Sequence, residues 1–209
     1  MNIDDLTQKF WEAFGMEHAL TEQQVHKFQT YASLLVLWNA KFNLTALVEL
    51  VDIVQYHFAD SLRLGKQFDL SGSKTLCDIG TGGGFPGIPL KIKYPECKLI
   101  LMEVSEKKRQ FLGEVVRALQ LTNVIICELD FRTFLRTMDE QIDYFLARAS
   151  LGVEELCRLF SAASRYKDST LIYWASAGWE PNQRCKQFVR TVIPYVVGTK
   201  TRKLVVLGR

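Results

Sequence analysis

A run of glycines directly after a short apolar stretch is the sequence feature that most restricts the fold of this chain. Thr75–Ile79 consists of apolar or β-prone residues around a single carboxylate, Asp78, which predicts a short buried strand. Residues 80–84 include four glycines, which indicates positive φ angles or a close approach that a Cβ atom would block. Pro86 and Pro89 suit the first turn of a helix, where amide hydrogens lack intrahelical partners. The stretch therefore predicts a strand, a loop and a helix N-terminus that together cradle a polar ligand.

Composition describes an ordinary folded chain of 209 residues, with 48% hydrophobic and 23% charged residues. No apolar run approaches the roughly 20 residues that span a bilayer, so we expect no membrane segment. Residues 1–14 carry Asp4, Asp5 and Glu12, which argues against a signal or transit peptide and predicts a cytoplasmic location. The net charge of +3 is a mild basic bias that permits a nucleic-acid partner without indicating one.

The five cysteines lie far apart and form no CxxC pair: they are Cys77, Cys97, Cys127, Cys157 and Cys185. Zinc requires clustered ligands, so we expect no metal site. An odd number of dispersed cysteines predicts free thiols that pack as small hydrophobic groups.

The first 70 residues show helical periodicity. A first helix has one apolar stripe, formed by Ile3, Leu6, Phe10 and Phe14. Thr21 and Gln24 form a capping box that opens a second helix. That helix has an apolar face made of Val25, Phe28, Ala32, Leu35 and Trp38. A third helix, predicted over 49–64, places His57 and Asp60 on one side.

The Ser-Gly-Ser break at 71–73 marks a boundary between a helical cap, 1–70, and an α/β domain, 71–209. Seven strands are predicted in that domain, at 75–79, 98–104, 123–129, 142–147, 169–174, 188–197 and 202–207. Helices are predicted at 106–119, with Phe111, Val115 and Ala118 facing inward, and at 153–163, while 131–138 is helical or irregular. This order predicts a doubly wound sheet whose last two strands are joined without a clear helix.

Two ligands suit the glycine loop. Gly82, Gly84 and Gly87 match the GxGxxG dinucleotide fingerprint, which by itself is weak evidence. Asp78 would repel a pyrophosphate but suits a ligand with a positive amine. A dinucleotide fold also tends to begin with this strand, whereas here about 75 residues precede it. S-adenosylmethionine has an ammonium and a sulfonium and no phosphate, so the residues favour it over NAD.

Two further positions complete the predicted cofactor site. Glu103 ends the second predicted strand, about 20 residues beyond the glycines, where a carboxylate accepts both ribose hydroxyls. Asp130 and Phe131 follow the third predicted strand, where the adenine of a nucleoside ligand lies. Phe131 is expected against the base, with Asp130 or backbone amides at its edge.

The chain closely resembles the glucose-inhibited division protein B family, bacterial guanine-N7 methyltransferases of 16S ribosomal RNA. The matching stretches run from about residue 25 to the C-terminus: 38–39 (WN), 43–45 (NLT), 57–62 (HFADSL), 78–90 (DIGTGGGFPGIPL), 107–112 (KKRQFL), 148–149 (RA) and 202–206 (RKLVV). The resemblance implies a Rossmann-like class I methyltransferase fold, with a doubly wound sheet of about seven strands and an N-terminal helical cap. It also implies S-adenosylmethionine as the cofactor.

The resemblance assigns roles to individual residues. Gly80 and Phe85 would line the cofactor site, and Phe131 and Arg132 would flank the adenine. Arg148 would stand at the mouth between methyl donor and RNA, as a cofactor and substrate contact and the one catalytic residue. The cap residues expected to pack onto that mouth and meet the substrate are Asn43, His57 and Asp60.

The chain departs from the family pattern at two places. Residues 174–178 (WASAG) lack the lysine that the family carries there, and Ala147 replaces the serine before the Arg-Ala pair. A methyltransferase with another substrate, or a non-catalytic RNA or ribosome-assembly binder, therefore remain alternatives.

Methylation at guanine N7 needs no general base, because that nitrogen has an in-plane lone pair and carries no proton. Arg148 suits a role as planar donor to guanine O6 or a phosphate. We expect its replacement by alanine to abolish turnover while sparing most of the stability. The basic residues expected to grip small-subunit ribosomal RNA, free or within a ribosomal particle, are Lys107, Lys108, Arg109, Arg132, Arg136, Lys200, Arg202 and Lys203. Nothing in the sequence requires more than a monomer.

Overall fold

The computed structural model describes the backbone of residues 3–209 and the side chains from Thr7 onward. A seven-stranded sheet is ordered β3-β2-β1-β4-β5-β7-β6. Its strands are β1 (Thr75–Ile79), β2 (Lys98–Met102), β3 (Val124–Cys127), β4 (Tyr144–Arg148), β5 (Thr170–Ser176), β6 (Val189–Val197) and β7 (Lys200–Leu207). The first five strands pair in parallel, and the β6–β7 hairpin adds antiparallel to β5. The predicted α/β class and strand number are confirmed.

The cap consists of α1 (Ile3–Glu17), α2 (Glu22–Phe42) and an irregular helical segment. That segment contains α3 (Leu50–Ile53), a π-helical turn (Val54–Ala59), α4 (Asp60–Leu62) and a 3₁₀ turn (Arg63–Lys66). The other helices are α5 (Gly87–Lys93), α6 (Glu106–Ala118), α7 (Phe131–Thr137), α8 (Val153–Leu156) and α9 (Gln183–Lys186). No helix in the described part of the chain is long and apolar enough to cross a membrane.

The capping box at the start of α2 is confirmed. The Thr21 side chain accepts a hydrogen bond from the Gln24 amide, and the Gln24 side chain accepts one from the Thr21 amide. Phe28, Ala32 and Leu35 are buried as predicted, and Val25 and Trp38 pack at the edge of the same core.

The apolar stripe predicted on α1 can be followed only in part. Phe14 is buried and Phe10 is partly buried. Trp11, which was not predicted as part of the stripe, is also buried. The side chains of Ile3 and Leu6 lie outside the described residues.

Three of the predicted helices differ from the structure. The helix predicted over 49–64 is instead the irregular segment, which contains a π-helical turn and ends in a 3₁₀ turn. On the inward face of α6 the buried residues are Phe111, Leu112 and Val115, and Leu119 directly after the helix is also buried. Ala118 is exposed, because the apolar stripe continues to Leu119 and not to Ala118. The helix predicted over 153–163 ends early: α8 is followed by a 3₁₀ turn (Cys157–Phe160) and then by turns. Beyond them, Tyr166 is buried and donates its hydroxyl to the Met138 carbonyl at 2.9 Å, a tertiary contact that fixes a different path.

Side chains alternate between two apolar clusters, one on each face of the sheet. On β2, for example, Leu99 and Leu101 belong to one cluster and Ile100 and Met102 to the other. The first cluster also contains the cap, α5 and α6; the second contains residues of α7 and α8. The cap therefore shares a continuous core with the sheet.

The glycine loop connects β1 to α5 and packs against the cap. Gly80, Gly82 and Gly84 have φ values of 63°, 60° and 97°. A Cβ on Gly84 would lie 2.5 Å from Ile88 Cδ1 and 2.6 Å from the Tyr31 hydroxyl, whereas one on Gly82 would meet nothing within 4 Å. Gly82 therefore serves backbone conformation alone, and Gly84 also serves close packing.

We predict that Gly84→Ala lowers the free energy of unfolding by about 3 kcal/mol, because it adds a steric clash to the cost of a left-handed alanine. Gly82→Ala is the matched control and should cost only about 1 kcal/mol. Urea denaturation of both variants measures the difference. Equal losses would show that Gly84 is not needed for packing.

Candidate active site

The carboxyl ends of β1, β2, β3 and β4 surround a cleft of about 560 Å³. Strand order reverses at β1, which pairs with β2 on one side and β4 on the other, and such switch points are where open α/β sheets bind ligands. Five predicted cofactor residues line this cleft: Gly80, Glu103, Asp130, Phe131 and Arg132.

Glu103 is almost completely buried, and its carboxylate braces two loops. Oε2 accepts the Gly82 amide at 3.0 Å, and Oε1 accepts the Ser105 amide at 2.9 Å. Each carboxylate oxygen can accept a further hydrogen bond. The side chain is thus held in one orientation at the cleft wall while retaining acceptor capacity.

Asp130 caps the N-terminus of α7. It accepts the Arg132 and Thr133 amides at 3.0 Å and the Thr133 hydroxyl at 2.7 Å, and these bonds lower the pKa of its carboxyl group. This N-terminal capping by Asp130 holds the start of α7, and with it the buried ring of Phe131, at the cleft wall. Arg132 forms a two-pronged ion pair with Glu155, at 2.6 and 3.1 Å. Hydrogen bonds from Arg132 and Arg158 lower the pKa of Glu155 to about 2.

Asp78 lies beneath the glycine loop and is not part of the cleft wall. Its Oδ2 accepts the Thr81 hydroxyl at 2.6 Å and the Gly87 amide at 2.7 Å, while Oδ1 has no hydrogen-bond partner among the described residues. Burial raises its pKa to about 6, against the opposing effect of both hydrogen bonds. The structure shows Asp78 tying the two ends of the loop together, and its assignment to the cofactor stays a prediction.

Gly82, Gly84 and Phe85 also lie in the loop but outside the cleft lining. The Phe85 ring is inserted into the cap, between Tyr31 at 5.4 Å and His57 at 4.3 Å, and is stacked on both. The Arg148 guanidinium lies 5.1 Å from the centre of the same ring. Phe85 thereby joins the glycine loop to Arg148.

Arg148, at the end of β4, is held by the cap through three hydrogen bonds. Nη1 donates to the Tyr56 carbonyl at 3.1 Å and to Asp60 Oδ2 at 3.0 Å, and Nη2 lies 3.0 Å from His57 Nδ1. Its Nε–H and one Nη2 proton have no partner among the described residues. The guanidinium is therefore fixed in place with two donors left for a ligand.

The carboxylate of Asp60 is completely buried and has three partners, and the backbone carbonyl of the same residue has a fourth. Besides Arg148, Tyr195 donates its hydroxyl to Oδ1 at 2.6 Å, and Arg202 lies 3.5 Å from Oδ2. The Trp174 indole donates to the Asp60 carbonyl at 3.1 Å. Removing the arginine from such a pair costs about 3–5 kcal/mol when the buried charge is left uncompensated. Tyr195 and Arg202 would still contact the Asp60 carboxylate, so we expect a smaller loss here, and the effect of Arg148→Ala on stability stays a prediction.

His57 lies in the π-helical turn and is neutral. Burial, followed by the positive charges of Arg148 and Arg202, lowers its pKa to about 3. Because Nδ1 accepts from Arg148, the proton is on Nε2, which donates to the Thr45 hydroxyl at 2.7 Å. Thr45 follows Asn43, an exposed residue with a φ of 49° that ends α2. The cap segment predicted to meet the substrate is thus connected to Arg148 through Thr45 and His57.

A second cleft, of about 610 Å³, is lined by Arg148, which lies outside the lining of the first cleft. Its walls are β5, β7 and the loop after β5, with Tyr173, Trp174 and Trp179 supplying aromatic surface and Lys200 and Arg202 supplying charge. Ala149, which has a φ of 52°, lines both clefts. Sequence reasoning missed Ala149, Ser150 and this aromatic group, since no local pattern shows that their elements meet.

We predict that the imidazole of His57 stays neutral down to pH 5, with a midpoint near 3 measured by NMR. The folded pKa lies below the unfolded value of 6.5, so the unfolded chain takes up the proton first and the free energy of unfolding falls as pH falls below 6.5. His18, with a pKa of about 4, acts in the same direction. His57→Gln should therefore reduce this slope without removing it. A midpoint near 6.5 would contradict the buried, arginine-paired geometry.

Comparison with known proteins gives consistent matches. The GidB family model, described as rRNA small subunit methyltransferase G, matches residues 24–193. The ribosomal RNA small subunit methyltransferase G of Lachnoclostridium phytofermentans is 39% identical over 150 residues, which cover 69% of this chain and 61% of that protein. The protein of the same name from Staphylococcus aureus is 34% identical over 186 residues, which cover 88% of this chain and 78% of that protein. The match to the first relative thus spans less than two thirds of its length.

A solved structure supports the fold. The SAM-dependent methyltransferase from Aquifex aeolicus superposes with a TM-score of 0.54 at 18% identity, covering 75% of this chain and 92% of that one. At this identity the likeness establishes the shared Rossmann-like architecture and nothing more.

Proposed function

Since the chain belongs to the GidB family of rRNA small subunit methyltransferases G, we propose that it transfers a methyl group from S-adenosylmethionine to N7 of a guanine in 16S ribosomal RNA. The observation that carries this proposal is the junction of two clefts at Ala149 beside the fixed guanidinium of Arg148. One cleft suits a nucleoside-bearing methyl donor, and the other offers aromatic and cationic groups to an RNA base.

The residues of the first cleft fit a phosphate-free nucleoside with a positive charge. Glu103 and Asp130 bring carboxylates to the wall, and Arg132 is already neutralised by Glu155. The Ser150 hydroxyl is buried at this wall with no hydrogen-bond partner among the described residues, so it is ready for a polar ligand atom. These groups would repel a pyrophosphate and accept the hydroxyl and amino groups of S-adenosylmethionine.

Within the cleft each residue has one part. Glu103 accepts the ribose hydroxyls and Phe131 packs on the adenine. Gly80 lets the end of β1 pack closely on Ser150 at the cleft wall, because a Cβ there would lie 2.6 Å from that of Ser150. Asp78 acts by holding the loop, and Phe85 by linking it to the cap. S-adenosylmethionine supplies the activated methyl group.

The chain's own contribution to methyl transfer is orientation and charge. Guanine N7 carries a lone pair and no proton, so no side chain has to act as a base, and His57 is committed to Arg148 and Thr45. The two remaining donors of Arg148 suit guanine O6 or an adjacent phosphate. Because Asp60 and His57 hold the guanidinium in place, the base is met by a preorganised donor.

The second cleft provides contacts for the RNA. Trp179 and Tyr173, whose rings lie 5.9 Å apart, offer surface for base stacking, and Lys200 and Arg202 stand at the same wall. Lys200 and Arg202 of β7 would supply the positive charge that the family lysine at 174–178 would bring, since Arg202 lies opposite Ser176 in the strand register. The other basic residues predicted to grip RNA would make phosphate contacts. We further propose that the protein acts as a cytoplasmic monomer on ribosomal RNA, free or within an assembling particle.

We predict that Glu103→Gln weakens S-adenosylmethionine binding about tenfold or more, because hydrogen bonds to a charged acceptor are each worth about 1.5–3 kcal/mol. Glu106→Gln, on the exposed first turn of α6, is the matched control and should bind like the parent. Isothermal titration calorimetry measures both. Unchanged affinity in Glu103→Gln would remove Glu103 from the cofactor site, and failure of the parent to bind would favour a non-catalytic RNA binder.

The decisive test of the function is mass mapping of 7-methylguanosine in 16S RNA from cells with the gene, without it, and with Arg148→Lys in its place. We expect one modified site to disappear with the gene and to be strongly reduced with Arg148→Lys, because lysine keeps the charge but loses the planar fork. An unchanged map without the gene, in a protein that binds S-adenosylmethionine, would redirect the proposal to another RNA.

A further inference from the structure

A third cavity, separate from the two clefts, lies between α1, the irregular helical segment of the cap and the β6–β7 hairpin. Its volume is about 250 Å³. One side is apolar, formed by Phe10, Phe14 and Val54, with Val196 on the hairpin. The other side carries cationic and imidazole groups.

Two polar groups at this cavity have no hydrogen-bond partner among the described residues. His18 is only 3% exposed, yet neither of its ring nitrogens has a hydrogen bond. The Nε of Arg63 is likewise buried and unpaired, while the guanidinium lies 5.4 Å from the centre of the Tyr195 ring. Buried polar groups in folded proteins are nearly always hydrogen-bonded, so both indicate a polar occupant.

The charges around the cavity favour an anion. Arg63 and Lys66 begin and end the 3₁₀ turn, and residues three apart in such a turn project from the same side. Glu17, the one carboxylate in the lining, is mostly exposed and lies 3.9 Å from Lys66 and 3.8 Å from His18 Nε2, so a bound anion would have to displace it. Arg63 and Lys66 thus form a pair of cations with one carboxylate at the solvent-facing edge.

His18 narrows the chemistry of that anion. Burial keeps the imidazole neutral, with a pKa of about 4, so one ring nitrogen donates and the other accepts. The donating ring nitrogen can bond an oxygen of a phosphate group. Arginine and lysine side by side are the usual partners of phosphate, and the apolar wall requires a ligand with a non-polar body.

We propose that this cavity binds a small phosphate ester, with the phosphate at Arg63, Lys66 and His18 and the ester group against Phe10, Phe14 and Val54. Tyr195 lines the same cavity and donates to Asp60, which holds Arg148. A ligand in the cavity would therefore contact Tyr195, which is hydrogen-bonded to the Asp60 carboxylate that holds Arg148.

The test is a ligand titration followed by NMR of the three histidines, His18, His26 and His57, with phenyl phosphate, inorganic phosphate and benzyl alcohol as probes. We expect phenyl phosphate to shift the His18 ring signals saturably and more tightly than inorganic phosphate, because only the ester fills the apolar side. Benzyl alcohol lacks the charge and should not bind, and the His26 signals should not move. No saturable shift of His18 with either phosphate would overturn the proposal.

Two variants test the assigned contacts. Arg63→Gln should weaken phenyl phosphate binding about tenfold or more, as expected from loss of a charge-assisted contact, and Lys66→Met provides the same test at an exposed position if Arg63→Gln does not fold. Lys186→Met, an exposed lysine of α9 outside the cavity, is the control. Equal affinity in Lys66→Met and the control would overturn the proposal.

Displacement of phenyl phosphate by a 5′-phosphorylated RNA tetranucleotide would assign the cavity to an RNA end and overturn the small-molecule site.

Discussion

The buried ion pair of Asp60 and Arg148 is the interaction on which the rest of the site depends. It joins α4 of the cap to the carboxyl end of β4 at 3.0 Å, and Tyr195 and Arg202 extend it to the terminal hairpin. A carboxylate with no exposure to water is tolerated only when its charge and lone pairs are met. Cap, central sheet and hairpin must therefore all assemble before this group is satisfied, which couples folding of the site to folding of the whole chain.

The glycine loop depends on this assembly through Phe85. Its ring lies between Tyr31 and His57, and it also faces the Arg148 guanidinium, so the loop is held from the cap side. From the sheet side it is held by Asp78 and Glu103, which accept amides from within the loop and from its end. Both carboxylates were predicted to contact the ligand, and in the structure both accept hydrogen bonds from backbone amides of the loop. Glu103 also lines the cleft, whereas Asp78 lies beneath the loop.

This arrangement suits a reaction that needs positioning more than proton transfer. His57 is kept neutral and bonded on both nitrogens, so it orients Arg148. Arg148 is fixed by three contacts and retains two donors without a partner among the described residues. The π-helical turn that carries Tyr56 and His57 is the irregularity that brings both groups to Arg148, and π-helical turns are frequent at functional sites.

Local patterns in the sequence were sufficient for the secondary structure and half of the site. The capping box of α2, the seven strands and the glycine loop each follow from neighbouring residues. The places of Glu103, Asp130 and Phe131 at the cleft follow from their positions at strand ends, whereas that of Gly80 follows from the family resemblance. Tertiary structure alone decided what required distant elements to meet. α8 ends earlier than predicted, and beyond it Tyr166 is buried against Met138. Arg148 forms an ion pair with Asp60, which is far from it in the sequence. Tertiary structure also created the aromatic cleft and the cavity at His18, because contacts between elements far apart in the chain leave no periodic signal in the sequence.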